Sequence, residues 1–369
     1  MLKITEKVNM TFMQCFKLSR LPIDSKYLET KEIFKKSIQA NRYLAELNGL
    51  SNVIPNRSIL INSLVLQEAK DSSEIENIIT THDELYRSSL DIDVSSPNAK
   101  EVQNYREALL TGYNLIKENG YLSVNFIKTI QEVLEKNNAG IRTQMGTSLK
   151  NQKTGEVIYT PPQDYQEIID LMSNLETYIN TDSNDIDDLV NMAIIHYQFE
   201  SIHPFYDGNG RTGRIINLLY LIMKDLLDIP ILYLSNYIIK HKHDYYRLLQ
   251  EVKTKDNWQG WILFMLDSVE VTAKDTIELI NKIKNLISST KLTIKSKVSK
   301  IYSKDLIEIL FEHPYTKIDF LMTRLDITRQ TASKYLKQLC DIGILEEANI
   351  GKYKYFINIE LYSLLRKSI

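Results

Sequence analysis

Residues 203–214 read His-Pro-Phe-Tyr-Asp-Gly-Asn-Gly-Arg-Thr-Gly-Arg, a run too polar and glycine-rich for a mere connection. Gly208, Asn209 and Gly210 permit a tight turn whose backbone N–H groups converge on one anion. A helix expected to start near Arg211, with Thr212 and Gly213 in its first turn, would present its positive end to the same spot. Arg211 and Arg214 are three residues apart, so they share a helix face and can grip phosphate oxygens. Asp207 is the turn's single carboxylate, suited beside so much positive charge to hold a divalent cation such as Mg²⁺. His203, with an unperturbed pKa of about 6.5, is the natural proton acceptor. Together these parts describe phosphoryl or nucleotidyl transfer to a hydroxyl. A His-Pro-Phe turn that only capped a helix would leave both arginines, the glycines and Asp207 unexplained.

Gly208, Gly210 and Gly213 also satisfy G-x-G-x-x-G, but that dinucleotide fingerprint needs a preceding strand in a βαβ unit, and here a helix precedes. The Lys-Ser/Thr ending of a P-loop is absent.

The elements around this segment are read as mostly helical. Apolar residues recur at helical spacing over residues 30–47, with Asn48-Gly49 as a stop, and a second helical region spans about 57–90. A polar loop with Ser95-Ser96-Pro97 precedes a helix over 100–118, ended by Asn119-Gly120. Residues 146–159, closed by Pro161-Pro162, suggest an isolated β-hairpin. Helices resume at Asp164. One that starts near Asp185 carries Asp185, Asp187 and Asp188 at its positive end and leads into the polar run. Others follow over 211–227, 244–253 and 258–284. Residues 287–300, rich in Ser and Lys, read as a linker. Beyond it come helices over 302–312, 318–325 and 329–342, then β-like runs over 345–348 and 353–359 joined around Gly351.

A length of 369 residues exceeds one usual core, so two or three domains are expected. Few glycines (12) and prolines (8) disfavour an all-β fold. A net charge of −2 gives no global push toward nucleic acid or membrane. Cys15 and Cys340 share no metal or redox spacing, which suits a reducing cytosol. The first 20 residues lack a continuous apolar signal segment, and the apolar stretch 215–234 is broken by Lys224, Asp225 and Asp228. A cytoplasmic protein is the expectation.

The run from His203 to Arg214 resembles the Fic family, whose mark H-P-F-x-D/E-G-N-G-R-x-x-R it matches at every specified position. The resemblance extends over roughly residues 20–285. It implies a helical core with a β-hairpin flap that binds ATP and Mg²⁺ and transfers AMP to Ser, Thr or Tyr of a target protein. By position, His203 would be the general base, and Asp207 would hold Mg²⁺ between the α- and β-phosphates. Gly208, Asn209 and Gly210 would form the anion turn, with Asn209 on the α-phosphate, Arg211 on the β-phosphate and Arg214 on the γ-phosphate. The 146–159 hairpin is similar to the family's flap, which aligns an extended target by strand addition. Tyr245 and Tyr246 resemble residues near the base and ribose. Gly210, where kinase-like relatives have Lys, argues against reversed use of ATP.

Upstream, Ser72-Ser73-Glu74-Ile75-Glu76-Asn77 fits the family's inhibitory pattern S/T-x-x-x-E-G/N. Ser72 and Glu76 share a helix face. The resemblance implies that Glu76 pairs with Arg214 and removes it from the γ-phosphate. The chain then divides into an N-terminal arm and helices with the inhibitory helix (1–90), a Fic core (91–286), a linker (287–300) and a C-terminal winged helix (301–369), the order helix, helix, turn, helix, hairpin being that of a winged helix.

From Lys291 onward there are 14 Lys and Arg against 9 Asp and Glu, a local excess. Thr328, Arg329, Gln330, Thr331 and Lys334 would open a recognition helix, with Lys352 and Lys354 on the wing. DNA is therefore one candidate partner, set against protein contact or a homodimer. Alternatives for the core are AMP removal, transfer of another phosphate-linked group, or nucleotide sensing by a transcriptional regulator. Elsewhere the bland readings hold: His196 packed, His241 and His243 at a solvated helix end, His82 and His313 without sequence partners, Trp258 and Trp261 in the core.

Overall fold

A computed structural model describes residues 17–52, 54, 56–88, 96–150, 157–181, 186–350 and 353–367. The arm before residue 17, Cys15, the loop at 89–95, the hairpin tip at 151–156, Asp185, and Gly351 with Lys352 lie outside the described residues.

The first helices are α1 (Lys31–Ser51), α2 (Arg57–Leu60), a π-helical turn (Ile61–Val65), α3 (Leu66–Ile75) and α4 (His82–Ser88). Thr30 caps α1, its hydroxyl accepting from the Ile33 N–H. The expected stop at Asn48-Gly49 does not act: α1 runs one turn further, because Leu47 and Ser51 are still buried and packing outweighs the cost of Gly49. The second region is broken into pieces rather than continuous.

Next come α5 (Pro97–Asn119), α6 (Val124–Glu135), strands β1 (Leu149–Lys150) and β2 (Val157–Tyr159), and α7 (Tyr165–Ile179). Pro97 starts α5 and Gly120, at φ 76°, ends it. The helix α6 has no counterpart in the sequence reading. β1 and β2 pair antiparallel, Leu149 opposite Tyr159, as the expected hairpin.

The centre is α8 (Asp188–Ile202) and α9 (Asn209–Met223). Asp187 caps α8, and nearly every α8 side chain is buried, so this helix is apolar all round rather than amphipathic. Around the pair lie α5, α6, α7, α10 (Leu234–Lys240), α11 (Lys242–Lys255) and α12 (Trp258–Lys297). Trp261 is fully buried and its indole N–H donates to the Ala193 carbonyl of α8 at 2.8 Å.

The 287–300 segment corrects the expected linker. It is the last stretch of α12, a single 40-residue helix, followed by a short 3₁₀ turn. Ile283, Leu286, Thr290 and Ile294 are buried at near-helical spacing beneath the Ser/Lys surface, which is why it stays helical.

The chain ends with α13 (Lys304–Glu312), β3 (Tyr315–Thr316), α14 (Ile318–Leu325), α15 (Arg329–Asp341), β4 (Leu345–Ile350), β5 (Tyr353–Asn358) and α16 (Ile359–Lys367). The strands form one antiparallel sheet in the order β3-β5-β4. β3 and α16 are additions to what the sequence suggested. Among the described residues no helix is long and apolar enough to cross a membrane.

Candidate active site

The α8–α9 connection is the run singled out by sequence. His203 ends α8 in a left-handed conformation (φ 49°), and Gly208 (φ 76°) caps the start of α9. The first N–H groups of α9 have no partner within the helix, so Asn209, Gly210 and Arg211 offer an anion their amides at the positive end of the axis. A Cβ on Gly208 would run into the Glu135 carboxylate, so this glycine answers both a φ demand and a close approach.

His203 is half-buried, with its Nδ1 shut off from solvent. Burial, and next the Arg142 guanidinium, push its pKa down to about 4, while Glu76, the Glu200 carbonyl and Asp207 pull the other way. His203 is therefore neutral near pH 7 and can accept a proton. Asp207 is exposed, and one of its oxygens accepts the Gly208 N–H at 2.8 Å. The carboxylate keeps acceptor capacity facing outward beside the turn, which fits a hard cation that keeps several waters.

The roles expected of other motif residues divide. The Asn209 side chain is already engaged inside the loop: its Oδ1 accepts from the Phe205 N–H at 2.8 Å and its Nδ2 donates to the Phe205 carbonyl at 2.9 Å. At 2% exposure this side chain locks the turn, and the backbone N–H of Asn209 stands among the first amides of α9. Thr212 is fully buried, and a Cβ on Gly213 would strike Glu200 and Phe199 of α8. Both are positions of close helix packing, which the sequence reading had placed among nucleotide contacts.

Both arginines are almost fully buried. Arg214 Nε donates to Ser72 Oγ at 2.7 Å, and Nη2 donates to the Ser72 carbonyl at 2.9 Å and to Glu76 Oε1 at 2.7 Å. Burial opposes its charge, but Glu76, Tyr245 and Glu200 raise its pKa above the ordinary value. Arg211 meets Glu135 at 2.8 Å, Glu101 at 3.0 Å and the second Glu76 oxygen at 3.5 Å. Glu76 thus bridges both guanidinium groups. It occupies the C-cap of α3, followed by Asn77 at φ 66°, and Asn is one of the few residues with a Cβ that tolerates that region. A Cβ on Gly210 would collide with Glu76, so the glycine makes room for this carboxylate.

The two tyrosines separate. Tyr246 is half exposed, but Tyr245 is 1% exposed, with its hydroxyl 2.8 Å from His196 Nε2. Tyr245 therefore packs behind the exposed ring of Tyr246, against α8. His196, fully buried between Tyr245 and Asn217, is the packed histidine expected. His243 is exposed, as a solvated helix end requires.

Two groups escaped the sequence reading. Glu135 and Glu101 come from α6 and α5 to surround Arg211, and nothing local marks them. Arg142, fully buried at the base of the hairpin, donates from Nε to the His203 carbonyl at 2.8 Å and from Nη2 to the carbonyls of Pro162 and Ile202. Its own N–H donates to the Pro204 carbonyl at 2.9 Å. One guanidinium thus joins the α8–α9 connection to the return of the hairpin. Tyr206 adds a surface link, accepting the Thr143 N–H at 3.0 Å.

A mostly helical site with a glycine turn, two converging guanidinium groups and a neutral imidazole has the arrangement of a Fic-type core. Family models agree: Fic/DOC family N-terminal over residues 34–114, Fic/DOC family over 121–221, and the C-terminal domain of SoFic-like protein adenylyltransferases over 286–361. The chain belongs to the Fic/DOC family. It is similar to a protein adenylyltransferase Fic of Culex quinquefasciatus, 34% identical over 106 residues, 28% of this chain and 19% of that protein. A probable protein adenylyltransferase of Aquifex aeolicus is 27% identical over 183 residues, 48% of this chain and 54% of that protein. The chain therefore spans about half or less of the length of these relatives. A Fic family protein from Desulfovibrio desulfuricans shares the fold at TM-score 0.57 and 18% identity, over 92% of this chain and 98% of that one. Fic-1 of C. elegans does so at TM-score 0.52 and 20% identity, over 68% of this chain and 74% of that one.

Proposed function

We propose that this chain transfers AMP from ATP to a hydroxyl of a target protein, and of itself, releasing pyrophosphate. The observation that carries this reading is the neutral, half-buried imidazole of His203 beside an N-terminal anion turn whose Arg214 is held in reserve by Glu76. His203 takes the proton of the Ser, Thr or Tyr hydroxyl as its oxygen attacks the α-phosphorus. The α9 amides and Arg211 steady the phosphates, and Arg142 fixes the loop that aims the imidazole. Asp207 would hold Mg²⁺, which supplies neutralisation of phosphate charge when bound. The β1–β2 hairpin offers the target an edge for strand addition.

In the resting chain Glu76 neutralises the Arg214 that a γ-phosphate would need, so the enzyme is autoinhibited. With α-labelled ATP, the Glu76→Gly variant is expected to incorporate about 5- to 150-fold more label than the native chain, the usual size of a coupling between sites. With γ-labelled ATP neither should be labelled. Label from γ alone would replace the reading with a kinase, and none from either would replace it with AMP removal or nucleotide sensing.

A second reading concerns the C-terminal segment, taken as a winged helix in a cytoplasmic protein. Arg329, Gln330, Ser333, Lys334 and Lys337 line an open concavity on the exposed face of α15, the helix that would enter a DNA groove. A gel shift on its own promoter region whose affinity falls with salt supports DNA as partner. A shift from monomer to homodimer without DNA binding supports protein contact instead.

A further inference from the structure

The helix that carries Ser72 and Glu76 is held at its other end by the C-terminal segment. Gln67, in the first turn of α3 and 2% exposed, has its amide nitrogen 3.4 Å from the Leu365 carbonyl of α16, with Tyr86 Oη at 3.1 Å and His82 Nδ1 at 3.4 Å. Tyr86 of α4 is 1% exposed, stacked 6.2 Å from Tyr315 of β3 and edge-on 6.0 Å from Tyr362 of α16. The Tyr315 hydroxyl donates to Asp83 at 2.5 Å. Before α3, Asn62 of the π turn lies 3.5 Å from His313 Nε2, and Asn56 donates to Glu308 of α13 at 3.5 Å. Thus α2, the π turn, the start of α3 and α4 all lean on α13, β3 and α16.

We propose that this contact is a brace: Gln67 and the Tyr86, Tyr315 and Tyr362 rings are positioning residues that keep Glu76 on Arg214, so the C-terminal segment governs autoinhibition. The inference rests on the inhibitory reading of Glu76. α3 is the last part of one unbroken helical run, Arg57 to Ile75: its far end packs on α5 and α10, and its near end, α2 and the π turn, leans on α13. It is also short and stiff, about 15 Å long, and carries a displacement of its first turn to its last. The π turn sets its register. Relaxing that extra residue into α-helix would rotate α3 by about 100° and take Glu76 off both arginines. The exposed face of α15 stays open, so a partner bound there can act on AMP transfer without approaching the catalytic loop.

The test is a set of labelling rates with α-labelled ATP, in full-length protein. Tyr362→Ala, which removes one ring from the cluster, is expected to raise self-labelling about 5-fold or more when Glu76 is present. In the Glu76→Gly background it should change nothing, a dependence that a merely structural loss would not show. Tyr315→Phe keeps the ring stack and removes the hydroxyl that donates to Asp83, and should give a smaller rise with the same dependence. Equal effects in both backgrounds, or no rise from either variant while Glu76→Gly does raise labelling, would overturn the brace alone. No rise from Glu76→Gly itself would remove the inhibitory reading, and the brace with it.

Discussion

Helices α9 and α15 begin alike, each after a turn and each with basic residues in its first turns. Their arginines live differently. Arg211 and Arg214 of α9 are 3% and 2% exposed and are met by Ser72, Glu76, Glu101 and Glu135 from α3, α5 and α6. Arg329 of α15 is exposed, and its carboxylate partner, Asp319 at 3.4 Å, is exposed as well. A buried guanidinium must have partners, so the partners become a switch when one of them can leave. An exposed one is satisfied by water and signals only through what arrives from outside.

The comparison breaks most visibly at the imidazole between these buried charges. His203→Ala, in the Glu76→Gly background, is expected to lower AMP transfer by about 10²- to 10⁴-fold, the usual worth of a general base. ATP binding measured by calorimetry should remain. Arg142→Ala comes next. It strips donors from the carbonyls of Pro162, Ile202 and His203, each costing about 1–3 kcal/mol when left buried and unpaired. A lower Tm and a fall of about 10-fold in kcat are expected, with the KM for ATP unchanged and partial rescue by Arg142→Lys.

The pH profile is a gentler probe. His203 is neutral above about pH 4 in the folded chain, against about 6.5 in an unfolded one. The acid limb of AMP transfer is therefore expected well below pH 6, with a plateau through pH 6–8. By linkage, the folded state favours the neutral ring, so this contribution to stability is full above the unfolded value and is lost as pH falls from about 6.5 toward 4. A limb centred at 6.5 would show that the surroundings of the imidazole do not favour its neutral form. Smallest of all, Lys334→Ala and Lys337→Ala should change stability by no more than about 0.5 kcal/mol and leave AMP transfer alone, while weakening any binding to DNA. A large loss of AMP transfer from either would erase the distinction between the two helices.

How much of this was legible follows the same divide. The turn at 203–214 could be read because all of its chemistry lies in twelve consecutive residues. Glu76 could be read only through its pattern, and its double contact with Arg211 and Arg214 could not. Arg142, Glu101 and Glu135 carry no local mark, since what makes each of them matter is a partner 61 to 110 residues away. The burial of Asn209, Thr212 and Gly213 could not be read, because sequence does not say which side of a helix faces in. The helix α6 was missed between Gly120 and the hairpin although its apolar face, Ile127, Ile130 and Leu134, has helical spacing. The end of α12 was mistaken for a connection because its surface composition, Ser and Lys, hid a buried stripe of Ile283, Leu286, Thr290 and Ile294.

That unbroken α12 bears on where the chain can be shortened. Forty residues at about 1.5 Å each make a rod of about 60 Å that belongs to the catalytic body at one end and touches α13 and α16 at the other. Cutting near residue 286 would sever this rod in its last third, fray the turns before the cut and bare apolar side chains to solvent. A fragment meant to behave well must keep the rod whole to Lys297, and even then it would lack whatever leaned on the far end.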